Sequence, residues 1–189
     1  VVLGGCAAFA AYSLYLFLNS WLPTYLTGQT GMAQSTASLL AAVFPAMGVV
    51  SRAGGGVVSD RVFGGLRTPV LRLSFLTATP TVVGIWLLPQ PLALVALLVV
   101  AGFVVQLTFG VVYSYVRECV DESVSGTALS FLGTTGMAGA FSAPLVAGGL
   151  IDQTGTFAAA FAYAAVLGVL GFVAASLAPE PGALPSRRT

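Results

Sequence analysis

Apolar residues run along this chain in long blocks, broken by short polar joints. The pattern predicts six helices, over approximately 2–26, 35–58, 69–88, 92–116, 125–149 and 157–178. A helix of about 20 apolar residues crosses a hydrocarbon core of about 30 Å. The apolar positions do not alternate, so the short strands of a spanning barrel are not expected. The joints at 27–34 (TGQTGMAQ), 89–91 (PQP) and 151–156 (IDQTGT) hold no arginine. The joint at 59–68 holds Arg61 and Arg67, that at 117–124 (RECVDESV) holds Arg117, and the tail at 179–189 ends in SRRT.

Polarity within the blocks is uneven. Tyr12, Tyr15 and Asn19 recur at helical spacing in the first. Gln106, Gly110, Tyr113 and Arg117 form a stripe in the fourth, and Thr127, Ser130 and Thr134 punctuate the fifth. The sixth has little that is polar beyond Tyr163 and Ser176, and the third only scattered threonines. The first, second, fourth and fifth helices are therefore expected to surround a polar path. The third and sixth stand behind, free to face lipid all round. Tyr12, Tyr15, Asn19, Gln106, Tyr113 and Thr134 are the candidate wall; the alternative for each is an interhelical hydrogen bond that glues the bundle.

Composition turns this pattern into an all-α membrane protein. Hydrophobic residues make up 57% of the 189 and charged residues 7%, against about a quarter charged in soluble domains. The expected surroundings are a lipid bilayer, and no nucleic-acid partner is indicated by a net charge of +1. Lys and Arg collect in cytoplasmic joints. The arginine-bearing joints then face the cytoplasm, with both chain ends there and the plasma membrane as the expected location. Trp21 and Trp86 fall near outer span ends, where aromatic rings favour the headgroup level. Cys6 and Cys119 have neither metal-ligand spacing nor an obvious disulfide pairing. No metal or other cofactor is expected. With no histidine, no G-x-S-x-G elbow and no buried carboxylate pair, an enzyme is not expected either. The chain opens VVLGGCAAFA, without Met or a basic leader, which suggests a piece of a longer protein.

One charge lies inside a block. Arg52 sits about five residues, or on the order of 7 Å, to the cytoplasmic side of the second span's midpoint. It shares a face with Gly48, Gly55, Gly56 and Ser59, and Pro45 is placed to kink the same helix. An intramembrane arginine costs at least about 2.5–3.5 kcal/mol on insertion scales and persists when it faces water, a partner or a ligand. Every carboxylate of the chain lies at a span end or in a joint, so no deep counter-ion is expected. Either the guanidinium fork meets a small anion, or it snorkels or pairs with an acid at a span end such as Glu118.

The segment GVVSDRVFGGLR, residues 56–67, fits G-x-x-x-D-R-x-x-G-G-x-R. With WLPTYL at 21–26, Pro144 in a glycine-rich fifth span and GGLIDQTGTF at 148–157, the chain resembles the C-terminal six-helix half of a major facilitator superfamily transporter. The resemblance implies a secondary transporter working by alternating access, whose partner is a missing N-terminal six-helix half. It implies a gating loop in which Gly56, Asp60, Arg61, Gly64, Gly65 and Arg67 form a cytoplasmic latch, led by Asp60 and Arg61. The spacing of Pro45, Gly48, Arg52, Gly55, Gly56, Ser59, Asp60 and Arg61 is similar to nitrate/nitrite porters, whereas WLPTYL is similar to organic-anion and sugar-phosphate carriers. The porter resemblance implies that Arg52 grips the anion, and the two together leave the substrate as a small anion, nitrate, nitrite or an organic anion. The alternative is a neutral or cationic organic compound held by Tyr12, Tyr15, Trp21 and Tyr113, with Arg52 structural. A non-transporting scaffold or sensor is the remaining reading. Since no acid or histidine lies at depth, coupling is expected to reside in the other half, or transport to be exchange or uniport.

Overall fold

A computed structural model describes residues 1–181. Residues 182–189 of the expected tail, Arg187 and Arg188 among them, lie outside the described residues. The helices are α1 (Val2–Thr30), α2 (Gln34–Val62), α3 (Thr68–Leu87), α4 (Pro91–Glu118), α5 (Glu122–Thr154) and α6 (Ala158–Leu177). All six are long and apolar enough to span a membrane.

Several helices overrun the expected spans. The first continues to Thr30 and the fifth to Thr154, so the joints expected at 27–34 and 151–156 shrink. The polar residues there do not break the helix, because their hydroxyls bond its own carbonyls. Thr27 Oγ1 donates to the Pro23 carbonyl at 3.1 Å, and Thr154 Oγ1 to that of Leu150 at 2.7 Å. What ends each helix is a left-handed glycine, Gly31 (φ 67°) and Gly155 (φ 68°). Proline lies in the first turn of α3 and α4, where its missing N–H has no helical partner to lose.

The helices pair through small residues, as bilayer packing requires when lipid itself is apolar. A methyl group on Gly139 of α5 would lie 2.4 Å from the Phe9 carbonyl of α1, and one on Gly102 of α4 would lie 2.4 Å from the Phe44 carbonyl of α2. α1 is thereby pressed on α5, and α2 on α4. On α6, Gly168 faces Thr79 and Gly171 faces the Phe75 ring of α3.

This last contact corrects the expectation that α3 and α6 face lipid all round. Each buries one full side, Val70, Leu71, Phe75, Ala78 and Val82 on α3 and Ala160, Ala164, Leu167 and Ala175 on α6. An alanine–glycine stripe has no polar atom to mark it in the sequence, yet it is what lets two backbones meet. The least covered helices are α2 and α5, whose most apolar windows are 22% and 28% buried, against 44–56% for the other four. Their outer faces have no neighbour within the six-helix unit.

Candidate substrate-binding site

A cavity of about 530 Å³ opens on one side of the bundle. α1 contributes Tyr12, Tyr15 and Leu16; α2 contributes Arg52; α4 contributes Phe109 and Gly110; α5 contributes Met137, Ala140 and Phe141. The four contributing helices are the four whose polar stripes suggested a path. α3 and α6 contribute nothing to it.

Arg52 rests on aromatic faces. Its guanidinium carbon lies 5.3 Å from the centroid of Phe109 and 5.9 Å from that of Tyr15, within the range where a ring quadrupole attracts a cation. The rings hold one another: Tyr15 meets Phe109 edge-on at 5.5 Å, and Tyr12 lies 4.5 Å from Phe109. Among the described residues no carboxylate lies within ion-pair distance of Arg52. Glu118, weighed above as its partner, is instead bound to Arg67. Gly110 of α4 faces the Arg52 backbone carbonyl, where a methyl group would make an ordinary contact at 3.9 Å.

The other expected wall residues divide. The Tyr12 and Tyr113 hydroxyls meet at 3.4 Å, joining α1 to α4. Asn19 and Thr134 are exposed but are not part of the cavity lining, and the Thr134 hydroxyl donates to its own helix at the Ser130 carbonyl. Gln106 is corrected outright. It is 1% exposed, and its Nε2 donates to the Phe44 carbonyl at 2.9 Å and to the Gly102 carbonyl at 3.1 Å. It is an interhelical bond, and Gly48 is glycine because the Gln106 amide occupies the place of its side chain. Trp21 is likewise not part of the cavity lining. Its Nε1 donates to the Pro144 carbonyl at 3.0 Å, and its ring covers Gly148 and meets Phe157.

At one end of the bundle the joint 63–67 makes a second constellation. Gly64 and Gly65 have φ of 60° and 86°, a turn in which two successive left-handed residues favour glycine. That turn brings Arg67 back over the end of α2. Arg67 Nη1 donates to Asp60 Oδ1 at 3.0 Å and to Ser59 Oγ at 2.8 Å, while Nη2 and Nε donate to the Glu118 carboxylate of α4 at 2.8 and 3.1 Å. Hydrogen bonding to Glu118 raises the Arg67 pKa above its ordinary value. Asp60 thus pairs with Arg67 across the joint, while Arg61, grouped with Asp60 in the expected latch, is exposed and forms no ion pair among the described residues. Gly56 lies within α2, upstream of the turn.

Sequence reading missed Glu180. Its carboxylate accepts from the backbone N–H groups of Arg67 (2.5 Å) and Thr68 (3.0 Å) and from the Thr68 hydroxyl. An anion at the start of α3 meets unpaired N–H groups and the positive end of the helix dipole. Arg72 does the converse for α6, donating to the Ala175 and Ser176 carbonyls at its end. Phe109, Leu16, Met137 and Phe141 were missed because an apolar side chain in an apolar run carries no signal of its own. Only the spacing from Tyr12 to Leu16 and from Met137 to Phe141, one helical turn each, hints at shared faces.

The architecture is a bundle of membrane-length helices around an open, cation-bearing cavity, with a charged, hydrogen-bonded cluster at one end. The Major Facilitator Superfamily profile matches residues 2–189, and the chain belongs to that family. It is 28% identical over 176 residues to the hexuronate transporter of Bacillus subtilis (strain 168), covering 88% of this chain and 42% of that protein. It is 32% identical over 166 residues to the probable sulfoacetate transporter SauU of Cupriavidus necator, covering 84% of this chain and 38% of that protein. The chain therefore spans about two fifths of the length of these relatives. Among solved structures it resembles a peptide transporter POT in complex with sulfate (TM-score 0.83, 21% identity, 93% of this chain and 36% of that one). It also resembles the inward-open xylose transporter XylE from E. coli (TM-score 0.78, 15% identity, 95% of this chain and 47% of that one). The fold is that of one six-helix half of such a transporter.

Proposed function

We propose that this chain is the C-terminal half of a secondary transporter that carries a small organic anion by alternating access, with Arg52 receiving the anionic group. The observation that carries the reading is a guanidinium at membrane depth, resting on Phe109 and Tyr15 in an open cavity with no carboxylate partner among the described residues. An aromatic face offsets part of a cation's lost hydration but leaves its N–H donors free for an oxyanion. Two relatives are named for hexuronate and sulfoacetate, both organic anions, which favours an organic substrate over nitrate or nitrite. The uncovered faces of α2 and α5 support a second six-helix half that closes the cavity from the other side. Arg61 and Arg117 in the last turns of α2 and α4, with Arg67 just before α3, support a cytoplasmic position for that end.

Arg52→Lys tests the reading in the full-length carrier. Lysine keeps the charge and loses the planar fork, so anion uptake is expected to fall about tenfold or more at normal membrane expression. Unchanged anion uptake, or uptake confined to neutral or cationic compounds, would overturn it.

A further inference from the structure

Resting on that reading, we infer that the preferred substrate is a monocarboxylate with an aromatic body, not a polyhydroxylated acid. Among the described residues, Arg52 is the only charged group on the cavity wall. Around it the wall is aromatic or aliphatic: Phe109 and Tyr15 beneath the cation, Leu16, Met137 and Phe141 beside it. Beyond the Tyr12 and Tyr15 hydroxyls, the side-chain polar groups expected to satisfy a sugar's hydroxyls lie elsewhere or are engaged. Gln106 is buried in the α2–α4 contact, the Thr134 hydroxyl is bonded within its own helix, and the Tyr12 hydroxyl meets that of Tyr113. A polyhydroxylated body moved from water onto such a wall loses more hydrogen bonds than the Tyr12 and Tyr15 hydroxyls can replace. A ring instead extends the stack that Tyr12, Phe109 and Tyr15 have begun, with centroid separations of 4.5 and 5.5 Å. One fork on an apolar wall also matches one carboxylate, and leaves a second anionic group without a partner on this half.

The experiment compares benzoate, glucuronate and sulfoacetate as competitors and as labelled substrates of the full-length carrier, alongside ligand-induced thermal stabilisation of the purified carrier in detergent. Benzoate is expected to bind and compete about tenfold or more better than either of the others, and to lose that advantage in Arg52→Lys. Met137→Gln, a change at an exposed wall position, is expected to narrow the preference for benzoate over glucuronate at least about threefold. A preference for glucuronate or sulfoacetate that depends on Arg52 would overturn the aromatic assignment and leave the anion reading standing. Indifference of the folded, membrane-inserted carrier to all three, in both transport and stabilisation, would overturn both.

Discussion

Arg67 Nη2 lies 2.8 Å from Glu118 Oε1, so the joint after α2 is fastened to the last turn of α4. The Arg67 side chain is 15% exposed and that of Glu118 40%, a half-sheltered pair that also engages Ser59 and Asp60. Removing the hub with Arg67→Ala leaves two carboxylates facing each other across the joint. The expected loss is about 0.5–1.5 kcal/mol of stability, the net range for an ordinary hydrogen bond, because both carboxylates remain open to water.

Cys119 reports whether that hub acts as a latch. It is partly covered, and burial, the largest influence, raises its thiol pKa above the ordinary value. The reactive thiolate is therefore scarce at neutral pH and increases as pH rises. In a Cys6→Ala background, Arg67→Ala is expected to speed maleimide labelling of Cys119 severalfold at pH 7, with a smaller ratio at pH 9. Equal labelling rates with and without Arg67 at both pH values would show that the joint stays closed by other means.

Glu180 closes the N-terminus of α3. Glu180→Gln keeps the shape and removes the charge that faces the Arg67 and Thr68 N–H groups. The expected cost is about 0.5–2 kcal/mol, the range for a lost cap. Hydrogen exchange should report it locally, with faster exchange in the first turn of α3 and none in α5.

Gly48 and Gln106 form a matched pair. A methyl group on Gly48 would overlap the Gln106 Oε1 atom, whose amide is held by two carbonyls and has nowhere to retreat. Gly48→Ala is expected to destabilise the bundle by about 1–3 kcal/mol. Combined with Gln106→Ala it should cost less than the two single changes together. Thermal unfolding in detergent measures the cycle; strict additivity would mean that the two side chains do not compete for this space.

How far the site was legible varies residue by residue. Arg52 stood out because a charge in an apolar run has few reasons to be there. Phe109, on which it rests, was invisible, since phenylalanine in an apolar helix serves equally well against lipid, a neighbour or a ligand. Gln106 was legible as a residue that needs a partner, but not as one whose partners are the Phe44 and Gly102 carbonyls. The motif placed Asp60 beside an arginine-bearing joint without choosing its partner: only the turn at Gly64 and Gly65 carries Arg67 back over Asp60, leaving Arg61 outside.

The sequence by itself determined that the chain makes six membrane-length helices and that its charges avoid their middles, except at Arg52. Those properties depend on the length of apolar runs and the cost of a charge in hydrocarbon, which act on each segment alone. Only the tertiary structure decided which faces meet. Lipid is as apolar as leucine, so burial gives one face of a spanning helix little advantage over another, and the choice falls to close approach at Gly102, Gly139 and Gly171. That choice buried Gln106, placed Phe109 under Arg52, and set Glu118 against Arg67.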